Sequence, residues 1–166
     1  MRNRAFVLVR TGAWEPCREP HDAEVRMDAE VLESMMALTV ADGTLAGSMG
    51  IKIVSASGTE VVARMPVAGN TQPFGLLHGG ASCVLAETAG SLAAALYAGP
   101  GRTVVGIEIS ATHHRGAKDR EVTAVATLAH GGRTLASYDI VIADADGRRV
   151  CTSRLTCLIR DGDPVA

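Results

Sequence analysis

Between Ala81 and Ala98 the chain runs ASCVLAETAGSLAAALYA, helix-length and free of Pro, with Glu87 as its single charged side chain. No polar face can be drawn around such a helix, so it must be enclosed on all sides by protein or lipid. Lipid is the poorer choice. A carboxylate at mid-bilayer costs at least ~2.5 kcal/mol, while Ser82, Thr88, Gly90 and Ser91 dilute the apolar run and its flanks lack anchoring residues. The constraint predicts a helix cradled by a sheet, carrying one acid where water is scarce. An ionised carboxylate there must be paired, hydrogen-bonded or protonated. Ser91, one turn on, can donate to it; an Arg from a strand is the alternative partner and would make Glu87 merely structural. A carboxylate kept partly dry holds its proton more tightly, the condition for a general base or nucleophile near neutral pH.

The remaining chain supplies the sheet. Residues 50–56 and 60–66 are rich in β-branched side chains and are joined at Ser57-Gly58, which reads as a hairpin. After the apolar run come four strand-like segments, 103–114, 121–130, 133–143 and 148–160, separated by turn residues at 116–119, 131–132 and 144–147. From Asp28, a plausible N-cap, AEVLESMMALTV places Val31, Met35 and Leu38 near one helical face. The expected class is α+β, an antiparallel sheet wrapped around one long central helix. Residues 1–26 lack periodicity and read as a flexible N-terminal extension with no signal peptide, leaving residues 27–162 as a single domain.

A net charge of -2 argues against a nucleic-acid or anionic-membrane partner. Cys17, Cys83, Cys151 and Cys157 form no C-x-x-C pair, so neither a zinc site nor a disulfide framework is expected, and a reduced, cytoplasmic setting follows. No P-loop, H-E-x-x-H or G-x-G-x-x-G is present, and Ser82 lacks the second glycine of a nucleophile elbow. Metal and cofactor chemistry are therefore not expected.

In front of the helix stands Gly75-Leu76-Leu77-His78-Gly79-Gly80. Its glycines leave backbone N–H groups uncovered at a helix N-terminus, where orphan donors and the dipole favour negative charge. Glu87 lies about two turns further on, ~12 Å along the axis at ~1.5 Å per residue. One chain cannot easily bring both to one carbonyl carbon. The spacing predicts that Glu87 of one subunit faces the His78-Gly79 turn of another, in a homodimer with two shared sites.

The span NTQPFGLLHGGASCVLAETAGS, residues 70–91, closely resembles hotdog-fold acyl-CoA thioesterases of the 4-hydroxybenzoyl-CoA thioesterase type. Within that family it looks most like the 1,4-dihydroxy-2-naphthoyl-CoA hydrolases and the proofreading thioesterases of enterobactin synthesis. VVGIEISATHHR, residues 104–115, and CTSRLT, residues 151–156, match as well. The resemblance implies a hotdog fold, paired subunits, a homotetramer, and an acyl-CoA substrate with an aromatic or medium-size acyl group. It implies Glu87 as catalytic carboxylate, nucleophile or base on water, and Gly79 as backbone donor to the thioester oxygen. Gln72 and His78 would position substrate and turn, and Ser91 would orient water. Coenzyme A, part of the substrate, would be met by Gly106, by His113, His114, Arg115 and Gly116, and by His130, Gly131, Gly132 and Arg133. Side chains alternate along a strand, so at most one of His113 and His114 should face the nucleotide. Gly116 stands where the family usually has Pro or Ser. Alternatives are hydrolysis of acyl-carrier-protein thioesters, a non-catalytic acyl-CoA binding module, and a dehydratase, which would want a His and carboxylate pair at the acyl β-carbon.

Overall fold

The computed structural model describes residues 6–8, 14–16 and 29–162. Strands β1 (Phe6–Leu8) and β2 (Trp14–Pro16) pair with each other, apart from the main sheet. Helices α1 (Ala29–Thr39) and α2 (Leu45–Ser48) precede β3 (Lys52–Ala56) and β4 (Glu60–Pro66). The long helix α3 (Gly79–Ala98) is followed by β5 (Arg102–His113), β6 (Glu121–Gly131), β7 (Leu135–Asp144) and β8 (Arg149–Asp161). The six long strands form one antiparallel sheet in the order β3-β4-β6-β7-β8-β5, with α3 against it. This is the expected hotdog arrangement.

The sheet meets α3 with alternate residues of its strands. Val61, Ala63 and Met65 of β4, Val122, Ala124 and Ala126 of β6, and Ile140 and Ile142 of β7 are fully buried. Opposite them lie Leu85, Ala86, Ala89, Ala93 and Ala94 of α3. Small residues let the layers come close: a Cβ on Gly90 would sit 2.5 Å from Leu155 Cδ2. With aromatics scarce, Tyr138 is the largest fully buried side chain, and its hydroxyl donates to the Gly58 carbonyl at 2.8 Å.

By length and composition α3 could cross a membrane, yet over half of its most apolar stretch is buried inside the fold, as in a core helix. Among its half-buried positions, Val84, Glu87, Thr88, Ser91, Ala95 and Ala98 recur at helical spacing and form one less covered stripe. The central carboxylate belongs to that stripe.

Several details differ from expectation. Helix α1 lays Leu32, Met35 and Met36 on the core, with Val40 just past its end, leaving Val31 48% and Leu38 68% exposed. Its sequence carries two apolar stripes that share Met35, and packing selected the one with Leu32 and Met36. Asp28, the expected N-cap, and Cys17 lie outside the described residues. Helix α2 was not foreseen. Its start is set by Thr44, whose Oγ1 accepts from the Gly47 N–H at 3.0 Å. Cys83, Cys151 and Cys157 are free thiols.

The two sheet edges are unlike. β3 is five residues long, starts at Lys52 and is interrupted by an irregularity between Ile53 and Ser55. β5 has twelve residues, pairs only with β8 among the described residues, and exposes Val105, Ile107 and Ile109.

Gly90→Val should lower stability by ~1–3 kcal/mol through overpacking against Leu155. Chemical denaturation would read this as a lower midpoint at an unchanged slope.

Candidate active site

The turn ahead of α3 is built by local hydrogen bonds. Gly75 N–H donates to the Gln72 carbonyl at 2.9 Å, Gln72 N–H to Leu76 O at 2.8 Å, and the Gln72 side-chain oxygen accepts from the Phe74 N–H. Gly75 has φ +77°, a conformation that L side chains rarely adopt. His78 is the N-cap, its Nδ1 accepting from Gly80 N–H at 2.8 Å. Gly79 N–H, the first of the helix, has no acceptor among the described residues.

That end of α3 opens onto a cavity of about 370 Å³ lined by Gln72, Gly79 and Ser82 on one side and His113, His114, Arg115 and Gly116 on the other. Gly79 lies against His113, whose Nε2 would be 2.8 Å from a Cβ added there. Both histidines line the cavity, contrary to the alternation argument. The reason is that β5 ends at His113; His114 lies past the strand, bonded through Nε2 to Thr152 Oγ1 at 2.9 Å. A Cβ on Gly116 would lie 3.0 Å from Leu76 Cδ1, so glycine suits this turn without the family's Pro or Ser. Arg115 is in no ion pair among the described residues, whereas the adjoining Arg120 and Arg148 are tied to aspartates. Arg115 is thus a cation available to an anion in the cavity.

Glu87 is not in this cavity. Burial raises its carboxyl above the ordinary carboxylate range, and a hydrogen bond from Ser91 partly offsets the rise. Among the described residues it has no Arg or Lys partner, which removes the structural ion-pair reading within one chain. Gly106 explains where the side chain goes: a Cβ on Gly106 would fall 2.2 Å from Glu87 Oε1. The strand irregularity follows at once, between Gly106 and Glu108. Gly106 therefore lies against the carboxylate rather than with the cavity residues.

The remaining predicted positions lie elsewhere. Gly131 is packed against the Tyr97 ring, within 2.6–2.7 Å of a would-be Cβ. His130, Gly132 and Arg133 adjoin it at the β6–β7 turn, where Arg133 O accepts from Arg102 Nη2 at 2.7 Å. Gly79 and Tyr97 are ~27 Å apart along the helix axis at ~1.5 Å per residue. Within one chain this turn and the His113–Gly116 turn occupy opposite ends of α3.

The thioesterase superfamily profile matches residues 74–151. The proofreading thioesterase EntH of Cronobacter turicensis is 47% identical over 129 residues, covering 77% of this chain and 93% of that protein. The chain belongs to the thioesterase superfamily. A thioesterase from Haemophilus influenzae shares the fold at TM-score 0.73 and 39% identity, covering 78% of this chain and 90% of the other. A mutant thioesterase from Pseudomonas aeruginosa matches at TM-score 0.72 and 37% identity over 82% and 96% of the two chains. The protein is accordingly a hotdog thioesterase, a thioester hydrolase.

Two contributors to this thioesterase's site escape a reading of the sequence. Asn70 Nδ2 donates to Met49 O and Pro66 O, both at 2.9 Å, while its own carbonyl accepts from His78 N–H at 2.9 Å. It ties the start of α3 to two distant segments. Cys157 lies across the ladder from Gly106, and burial pushes its thiol up to about 11.

Gly106→Ala presses on the far end of a flexible side chain, so Tm should move by less than ~3 °C, the equivalent of ~1 kcal/mol or less. With Glu87 as the reacting carboxylate, as proposed below, thioester hydrolysis should fall on the order of 100-fold, because the carboxylate is displaced by about an ångström. Calorimetry and thiol-release kinetics on one preparation would separate the two effects.

Proposed function

We propose that the protein hydrolyses acyl-CoA thioesters with an aromatic or medium-size acyl group, using Glu87 of one protomer and the Gly79 turn of a second. The observation carrying this reading is that the desolvated, unpaired Glu87 and the open Gly79 amide sit on one helix, ~12 Å apart at ~1.5 Å per residue. Neither completes a site alone. The long apolar edge of β5 supplies the means of joining two copies, because an unpaired edge with exposed Val105, Ile107 and Ile109 is a template for another strand. Two β5 strands running antiparallel would set Glu87 of each chain toward the turn of the other. A dimer of such dimers would make the expected tetramer.

In the shared site the thioester oxygen accepts from Gly79 N–H, with the helix dipole behind it. Glu87 either takes a proton from water, whose oxygen attacks the carbonyl carbon, or attacks that carbon itself to form an anhydride that water then opens. In both routes the C–S bond breaks and the thiolate departs without strong protonation, so the site needs no separate strong acid. Ser91 holds the carboxylate, Gln72 and His78 shape the turn, and Arg115 with His113 and His114 meets the coenzyme A phosphates. The His130–Arg133 turn serves the phosphates only if another chain brings it near. A second reading is favoured by the name of the Cronobacter relative: a proofreading role, here on carrier-protein thioesters.

Glu87→Gln should reduce kcat for benzoyl-CoA by ~100-fold or more, the usual worth of a general base. The reactive form is the carboxylate, whose proton affinity burial raises. Activity should therefore fall as pH drops through a value above the ordinary carboxylate range, and the acid limb of log kcat against pH measures it. Comparing benzoyl-CoA with a benzoyl carrier protein distinguishes the two substrate readings. Ile107→Lys, at a side chain 55% exposed in the protomer, should yield a folded monomer without activity. Sedimentation showing a fully active monomer would sink the shared-site reading.

A further inference from the structure

Glu87 and Gly79 each stand over one position of β5. A Cβ on Gly106 would fall 2.2 Å from Glu87 Oε1, and a Cβ on Gly79 would fall 2.8 Å from His113 Nε2. Both β5 positions face α3, because residues opposite each other in a ladder share a side and their β8 partners, Cys157 and Cys151, are fully buried. His113 lies seven residues beyond Gly106, an odd count that in a regular strand would turn the two to opposite faces. The bulge accounts for it: Ile107 has no partner in the ladder with β8, so Gly106 and His113 are only six rungs apart. Ser110 is the middle rung, three from either end. Ile109 and Ala111 flank it on the α3 side, opposite the buried Leu155 and Ser153, whereas Ser110 is exposed and lies opposite the exposed Arg154.

We propose that two copies join through β5 with the two-fold axis at Ser110, so that Gly106 of each chain lies opposite the partner's His113. The inference rests on the reading of Glu87 and Gly79 as halves of one shared site. Two-fold pairing repeats every contact on both sides of the axis, so one register has to serve both sites. With the axis at Ser110, each Glu87 meets the partner's Gly79 turn. Moving the axis to Ile109 or Ala111 slides each acid two residues along the strand, ~7 Å at ~3.3 Å per residue, too far to share one carbonyl carbon. The side chains suit this register as well. Ile109, 37% exposed in the protomer, comes against the small side chain of the partner's Ala111. Glu108 comes opposite the partner's Thr112, where an axis at Glu108 would set two like charges against each other.

Single cysteines introduced along β5 read the axis. Residues directly opposite on antiparallel strands have Cα atoms ~4.5–5.5 Å apart, within disulfide reach. Diagonal neighbours, at ~7–8 Å, are outside it. Under oxidised glutathione, Ser110→Cys should pass into a covalent dimer on a non-reducing gel, while Ile109→Cys and Ala111→Cys should remain single chains. Wild type treated alike controls for the native thiols, and peptide mapping locates the bond. The Ser110 side chain is exposed and touches no site residue, so the linked dimer should hydrolyse benzoyl-CoA at the wild-type rate. Should Ser110→Cys fail to fold, Glu108→Cys co-expressed with Thr112→Cys takes its place, and the link should form between unlike chains alone. Linking of Ile109→Cys or Ala111→Cys as readily as Ser110→Cys, or loss of activity once Ser110→Cys is linked, would overturn the register. An active dimer in which no variant links would overturn pairing through β5. Both results leave the shared site standing, whereas a fully active monomer overturns the shared site itself.

Discussion

A helix apolar on every face cannot be left half in water, and the contact of α3 with the sheet is the interaction from which the other features follow. Leu85, Leu92 and Leu96 are buried to within a few per cent, each worth ~1.5–3 kcal/mol relative to exposure. Such close packing needs small partners, and Ala86, Ala89, Gly90, Ala93 and Ala94 supply them. The same enclosure strips water from Glu87 and raises its proton affinity. Fold stability and the chemistry of the acid thus share one cause.

The layout also distributes chemistry along a single axis. The N-terminus of α3 carries the open amide and borders the cavity with Arg115, the middle carries the acid, and the far end packs Tyr97 against Gly131. Helix geometry fixes these separations, since side chains can bridge only one turn. On the proposed reading, a thioester spanning the amide and the acid meets them on different copies of the helix.

Much of this was legible from the chain because it depends on local chemistry. Strand limits fell within two residues of expectation, since Ser57-Gly58, Gly131-Gly132 and Asp144–Gly147 punctuate the strands with turn residues. The Glu87–Ser91 bond followed from helical spacing. What failed was whatever depends on distant partners. The apolar face of α1 was misjudged because two stripes were available, and only packing against α3 chooses between them. The turn His113–Gly116 borders a cavity, but the end of β5 at His113, which lets both histidines border it, is a property of the ladder with β8. Asn70 bonds to partners on other segments, and Cys157 faces Gly106 across the ladder, which no local pattern announces. Gly106 was picked out through family likeness alone, and its contact with Glu87 emerged only in three dimensions.

The inequality of the sheet's two borders limits how large an assembly can grow. One border, β3, is brief, kinked and begins with a lysine, features that discourage further strands from adding. The other, β5, is long and greasy. A sheet adhesive on one side only, when it meets its own kind by two-fold symmetry, consumes the sticky margin on both copies and leaves only blunt ones outward. Growth through strands then stops at two chains, which protects an aliphatic sheet protein of this kind from propagating into fibres.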